Sequence, residues 1–166
     1  MAVTYEYSTE AALESSSPSL ANMLIQGMKL RILPFTFTQG VAAGDAGSLA
    51  YLRRLPPGEV WFYPKASEIQ WDAFGASRVL DIGYAAYTAP DGTAVPVSAA
   101  KFDDDIDVSS EGEAALGSDY THAVAGDTGQ FKKFTSREGV TIYATVAGGT
   151  IPAGTVISGY LVIGMP

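Results

Sequence analysis

Residues 140–166 have the sequence VTIYATVAGGTIPAGTVISGYLVIGMP, and their pattern is the clearest indication of the fold class. Two runs of β-forming residues, 140–147 and 156–163, flank a connection rich in glycine and proline. The first run alternates apolar residues with threonine and tyrosine, which is the pattern of a strand with one buried face. The second run is apolar on both faces, and the core of a sandwich can cover only one of them.

The preceding chain shows the same succession of short strands and turns. Turns recur about every ten residues, and no long helical period occurs after residue 27. With 18 glycines, 9 prolines and only 17% charged residues, the composition is typical of a sandwich or barrel. We therefore predict an all-β, antiparallel β-sandwich. Its other strand candidates are residues 28–37, 48–55, 59–71 and 76–87.

The first strand candidate changes the phase of its alternation midway. Leu30 and Ile32 occupy the apolar positions at first, whereas Phe35 and Phe37 follow with the opposite parity. Pro34 stands at the change. Because proline in a sheet is confined to edge strands and bulges, we predict an edge strand with a bulge or bend at Pro34.

The first 27 residues differ from the rest, since they are polar, rich in serine and interrupted by proline. Ser17 would cap a short helix that has Pro18 at its first position and Gly27 beyond its end. We divide the 166-residue chain into an N-terminal arm, residues 1–27, which orders only when it docks, and a single β-sandwich domain, residues 28–166. A frayed terminus is the alternative for the arm. The apolar side of its helix would consist of Leu20, Met23 and Leu24.

Charge and composition exclude several classes of partner and site. The formal net charge of −8 repels phosphate backbones, so nucleic acid is not an expected partner. No stretch approaches the 18 consecutive apolar residues of a membrane span, so no membrane partner is expected either. The chain has no cysteine, which excludes disulfides, thiolate nucleophiles and cysteine-bound zinc.

Residues 101–119 are the one strong run of charge, with seven acids and one base. Counting from Asp103, alternate acids fit the start of a helix–loop–helix calcium loop. The sixth and twelfth positions, however, are Val108 and Ala114 instead of glycine and glutamate. We therefore predict a solvated acidic loop. A looser cation site between Asp103 and Asp107, or docking onto a basic partner surface, stays open.

No residue pattern predicts catalysis or a cofactor. The single histidine, His122, lies among loop residues, and the chain has neither a nucleophile elbow nor a nucleotide-binding glycine motif. Trp61 and Trp71, with Tyr63, would suit a sugar-stacking platform, although aromatic residues on strands more often belong to a core or an interface. We expect a binding or assembly protein that is not an enzyme and has no catalytic, cofactor-binding or metal-binding residues.

Two segments of the chain resemble small head proteins of tailed bacteriophages. The first is RRLPPGEVWFYPKASEIQWDAFGASRVLDIGYAAYTAPDG, residues 53–92, with its LP-G turn, its LDIGY element at 80–84 and its DG turn. The second is VTIYATVAGGTIPAGTVISGYLVIG, residues 140–164, where a G-x-IPAG hairpin leads to the last strand. The resemblance covers residues 50–164.

The family that these segments resemble is the capsid decoration, or cement, proteins. The resemblance implies a jelly-roll-like β-sandwich that forms a small symmetric homo-oligomer, a dimer or a trimer. It implies a location on the outer surface of the virion capsid, where the protein would bridge neighbouring major capsid subunits and stabilise the shell. It implies no catalytic residues. The N-terminal arm matches no family motif, so a role for it in capsid contact is our own inference.

The final strand and the arm are the predicted contact regions. One face of the strand belongs to the core, and the other must meet a loop, the arm or a second subunit, because a bare apolar strip invites association. Two other readings stay open: a carbohydrate- or receptor-binding β module of a tail fibre or adhesin, and another virion part such as a connector or tail protein. The predicted contact residues are Leu20, Met23, Leu24, Val156, Ile157, Tyr160 and Leu161.

Overall fold

The computed structural model describes residues 29–41, 43–44, 47–118, 120 and 131–166. The predicted arm and His122 lie outside these residues. Within them the chain forms strands and no helix, so none of the described residues belong to a helix that could cross a membrane. The all-β prediction is confirmed. The strands are β1 (Lys29–Thr38), β2 (Leu49–Leu55), β3 (Gly58–Trp71), β4 (Val79–Tyr84), β5 (Tyr87–Thr88), β6 (Ala94–Val95), β7 (Ser98–Asp107), β8 (Gly112–Ala115), β9 (Lys132–Ser136), β10 (Val140–Ala147) and β11 (Val156–Met165).

The strands form two antiparallel sheets and a small hairpin of β5 with β6. The first sheet has the order β1-β11-β3-β8, and β9 pairs with the first half of β3. The second sheet has the order β2-β10-β4-β7. If β8 and β9 are taken as two halves of one strand, this is the double Greek key of an eight-stranded jelly roll. The predicted jelly-roll-like sandwich is therefore confirmed.

The core lies between the two sheets. Phe62 on β3 and Phe102 on β7 are both fully buried, and their rings meet edge to face with centroids 4.8 Å apart, which ties one sheet to the other. Alternate residues of β4 and β10 are buried, as their period-two patterns predicted. These residues are Leu80, Ile82, Tyr84, Val140, Ile142, Ala144 and Val146.

The predicted acidic loop at residues 101–119 is wrong, because β7 and β8 occupy most of it. Asp103 is fully buried on β7. Its carboxylate accepts hydrogen bonds from the backbone N–H of Gly117 and from the backbone N–H of Ser118, the latter at 2.9 Å. The Ser118 hydroxyl also donates to it. A buried carboxylate needs such donors, so Asp103 anchors the turn after β8.

The hairpin expected between β10 and β11 is also wrong. β10 pairs with β2 and β4, whereas β11 pairs with β1 and β3 in the other sheet. Residues 148–155 therefore cross from one sheet to the other. This crossing is held by a bridge between Gly44 and Ile151, and by a 2.9 Å hydrogen bond from the Gln39 N–H to the Thr155 carbonyl.

Strand β1 is an edge strand, as predicted, but it contains no bulge. All ten of its residues pair with β11 without a shift of register. The change of phase arises because Leu30 and Ile32 lie on the outer face of the sheet, whereas Phe35 and Phe37 face the core. Leu30 and Ile32 are 63% and 67% exposed, and Phe35 is 5% exposed. The pattern that suggested a bulge marks apolar surface instead.

Candidate interaction surface

The outer face of the first sheet carries a row of apolar side chains across three strands. Ile32 on β1 lies opposite Val162 on β11, and Val162 lies opposite Tyr63 on β3. Leu30 lies opposite Gly164, which has no side chain to cover it. We call Leu30, Ile32, Tyr63 and Val162 the outer apolar face. Two of its four members are large aliphatic side chains left mostly in water, which is unusual for a sheet whose other face already fills a core.

One end of this face is closed by an aromatic stack. The ring of Trp61 lies parallel to that of Phe131, with centroids 4.9 Å apart, and both residues are buried. The Trp61 indole donates a hydrogen bond to Glu59 at 2.8 Å, and the Lys133 ammonium lies 2.7 Å from the same carboxylate. The pKa of Glu59 is lowered mainly by the hydrogen bond from Lys133 and, to a smaller extent, by the one from Trp61. Polar groups thus fix the closed end.

A polar margin borders the other side of the face. The Tyr160 hydroxyl on β11 donates to Glu68 on β3 at 3.3 Å, and the charge of Glu68 raises the pKa of this tyrosine. Gln70 donates to Glu68 at 3.0 Å and reaches Glu113 on β8 at 3.4 Å. An apolar centre with a polar margin is the ordinary anatomy of a protein–protein contact.

The structure separates the predicted contact residues of the last strand. Val156 and Tyr160 are half-buried on the outer side of β11, where the contact stays a prediction. Ile157 and Leu161 are fully buried within the core cluster, so their side chains are not available at the surface. Sequence reasoning missed Leu30 and Ile32 as surface residues. The signal that could have found them was the change of phase in β1.

The two tryptophans do not form a platform for a sugar. Trp71 lies opposite Ile157, so it faces the core, and it is 8% exposed with its indole donating to the Ser110 carbonyl at 2.9 Å. Trp61 lies opposite Gly164 on the outer side of the same sheet and is covered by Phe131. The two rings lie on opposite faces of β3, and neither is open.

The outer face of the second sheet is different in character. Tyr51 on β2 is 60% exposed and packs edge-on against Tyr143, with ring centroids 6.4 Å apart. Arg53 and Arg54 follow on the same strand, and both are exposed. Across the sheet, carboxylate oxygens of three aspartates lie within 4.8 Å of one another. Exposed acids often lie this close without an ion, so the proximity alone defines no metal site. The acidic group consists of Asp81, Asp104 and Asp105.

No family model and no curated protein matches the chain. Two solved structures contain chains of similar shape. One is described as the cyanophage Pam1 capsid asymmetric unit, with 14% identity over 84% of this chain and 86% of that chain and a TM-score of 0.46. The other is described as infectious bursal disease virus, Gx strain, with 12% identity, 82% of this chain covered and a TM-score of 0.46. This chain spans 32% of the length of the second.

Proposed function

We propose that the chain is a structural virion protein that binds the outside of a phage capsid and stabilises the shell by bridging major capsid subunits. The observation that carries the proposal is the outer apolar face, on which Leu30 and Ile32 are 63% and 67% exposed. The resemblance of residues 50–164 to capsid decoration proteins supports the choice of partner. The role requires no catalysis, and we assign the chain no catalytic or cofactor-binding residue.

Burial of the outer apolar face would supply the affinity. Each large aliphatic side chain that moves from water into a packed contact contributes about 1.5–3 kcal/mol. The surface also lies on β1, which is an edge strand among the described residues, and the backbone groups of an edge strand can pair with another chain. The polar margin around Glu68 and Tyr160 would set the orientation of the partner, since misplaced polar groups would lose their hydrogen bonds.

Bridging requires contacts with more than one subunit, and the order of the chain offers a second one. The predicted arm, residues 1–27, precedes Lys29, the first residue of β1, by one residue, so the arm leads into the strand that carries Leu30. We propose that this segment, with Leu20, Met23 and Leu24, reaches a neighbouring capsid subunit while the outer apolar face binds the first. The two contacts would then reinforce each other through their high effective concentration.

The test is cosedimentation with empty mature capsids of the phage that encodes the protein. Wild-type protein should bind saturably and raise the temperature at which the capsids disrupt. Ile32→Asp should weaken binding at least about tenfold, because it places a charge in a contact that excludes water. Thr36→Asp is the matched control, since Thr36 is exposed on the same side of β1 and lies outside the apolar face.

Circular dichroism should show that both variants fold like the wild type. If the wild type does not sediment with capsids, the proposed function is wrong. If the wild type binds and Ile32→Asp binds equally well, the protein attaches through another surface, and the assignment of the outer apolar face fails.

A further inference from the structure

The outer face of the second sheet separates opposite charges across its width. Thr145 on β10 lies opposite Leu49 on β2 and opposite Asp81 on β4, so these three residues lie on one side of the sheet. The arginines lie farther along β2, opposite Thr141 and Ile142, so they are separated from the aspartates of β4 and β7 along the strands as well as across the sheet. β2 and β4 are two strand spacings apart, or about 10 Å. We call Tyr51, Arg53, Asp81, Asp104 and Asp105 the charged face.

Arg53 is the basic group that this face offers to a partner. It is exposed, and no hydrogen bond or ion pair joins it to another residue in the part of the chain that the structure describes. Arg54 is engaged instead, since it donates to the Glu138 carbonyl at 2.6 Å and lies 3.9 Å from the Glu138 carboxylate. Both arginines line a hollow of about 480 Å³, together with Tyr51, Leu52 and Thr141.

The aromatic part of the face is held in place. Tyr51 is 60% exposed, and Leu49 beside it on β2 is 44% exposed. The edge-on contact with Tyr143, which is only 3% exposed, supports the Tyr51 ring from below. Exposed tyrosine next to arginine is the composition in which binding energy concentrates at protein interfaces. A ring already supported by the protein loses little conformational entropy on binding.

We propose that the charged face binds a second copy of this chain, in a dimer with two-fold symmetry in which Arg53 of each copy lies against the acidic group of the other. In a face-to-face dimer, a two-fold axis midway between Arg53 and the acidic group places each of them opposite the other in the second copy. One arrangement therefore forms both Arg–Asp contacts. Tyr51 and Leu49 would be buried beside them. The inference deepens the proposed function and rests on it, because it names the surface through which the capsid-bound protein forms its oligomer.

A second copy can occupy the charged face because that face carries both signs of charge at separate places. A net charge of −8 makes two copies repel at long range, so association needs a surface that carries its own complement. The charged face does so, with Arg53 on one strand and Asp81, Asp104 and Asp105 on two others. Because the outer apolar face lies on the opposite side of the sandwich, a dimer formed in this way leaves it open to the capsid.

The experiment compares charge reversals by sedimentation equilibrium of the full chain. Wild-type protein should dimerise, and Arg53→Glu and Asp104→Lys should each raise the dimer dissociation constant at least about tenfold. An equimolar mixture of the two variants should dimerise like the wild type, because both contacts are then again between opposite charges. Lys65→Glu and Glu111→Lys are the matched controls, since both residues are exposed and neither belongs to the charged face; neither change should have an effect.

Milder variants guard against misfolding. Arg53→Gln removes the charge alone, and Asp105→Asn keeps a residue type that tolerates the φ of 59° at this position; both should weaken the dimer. A monomeric wild type, unchanged dimerisation of both reversals, or a mixture that stays monomeric would overturn the inference. A monomeric wild type that still binds capsids would leave the proposed function standing. If the protein dimerises with the expected charge dependence but does not bind capsids, the dimer interface stands and the proposed function is wrong.

Discussion

The two outer faces of the sandwich share one architecture and differ in chemistry. The first sheet exposes Leu30 and Ile32 in a row with Val162, whereas the second exposes Tyr51 and Arg53 on one edge strand and carries a separate group of aspartates. The inner faces of both sheets meet the same requirement, which is to fill one core. The outer faces do not have to fill a core, so their composition reflects what each face contacts outside the protein. An apolar face and a charged face on opposite sides predict two partners with different responses to mutation and salt.

The largest expected effect is on stability, and it should differ between the core-facing and the outer side of β11. Leu161→Asp would bury a carboxylate at a fully buried position, so the free energy of unfolding should fall by more than about 4 kcal/mol and the protein should not fold. Tyr160→Asp replaces a half-buried outer residue and should leave a folded protein. Urea denaturation followed by circular dichroism measures both changes.

Tyr160→Phe is the control for the outer position, because it removes only the hydroxyl that donates to Glu68. If both aspartate variants unfold, the outer side of β11 is covered as tightly as the core, and the outer apolar face is not a surface. If both fold, the assignment of Leu161 to the core is wrong.

Salt should change binding through the two faces differently, and this effect should be smaller than that of Leu161→Asp. Raising the ionic strength from about 0.1 M to about 1 M shortens the Debye length from about 10 Å to about 3 Å, which screens exposed charges. Dimerisation through the charged face should therefore weaken several-fold, whereas capsid binding through the outer apolar face should hold or strengthen. Sedimentation at both ionic strengths measures the two equilibria. Equal loss of both with salt would contradict the division into an apolar and a charged face.

The smallest expected effect concerns the closed end of the outer apolar face. Glu59→Gln keeps an acceptor for the Trp61 indole and removes the charge that pairs with Lys133. At neutral pH the variant should lose about 0.2–1 kcal/mol in the free energy of unfolding, as is usual for a surface ion pair. Glu111→Gln, at an exposed position outside this cluster, should lose nothing measurable.

The same variant carries a pH test whose sign follows from the lowered pKa of Glu59. A carboxylate with a lowered pKa in the folded state stabilises the protein above the ordinary glutamate pKa, and this stabilisation is lost as the pH falls through the lowered value. The difference between wild type and Glu59→Gln should therefore be present at neutral pH and shrink in acid. A difference that grows in acid would contradict the role of Lys133.

Several elements could be predicted from the sequence because their signals are local. The alternation in β4 and β10 identified their core-facing residues, since a strand's two faces follow from period two alone, but it did not predict that Tyr143 on the outer face is buried too. Asp103 was misassigned because a buried acid that anchors a turn looks the same in sequence as a solvated one. Its donors, the backbone N–H groups of Gly117 and Ser118, carry no side-chain signal.

The fold class, the two-sided apolar character of β11 and the approximate positions of β1–β4, β10 and β11 follow from local patterns in the sequence, whereas β7, β8 and β9 were not predicted from it. The sheet that each strand joins, and the apolar residues that stay outside the core, depend on pairs far apart in the chain, such as Ile32 with Val162. They therefore become visible only in the folded structure. The reason for a glycine at position 159 likewise depends on a contact far away in the chain. A Cβ there would lie 2.1 Å from the Glu68 carbonyl oxygen, so this glycine permits the close approach of β3, a strand some 90 residues earlier.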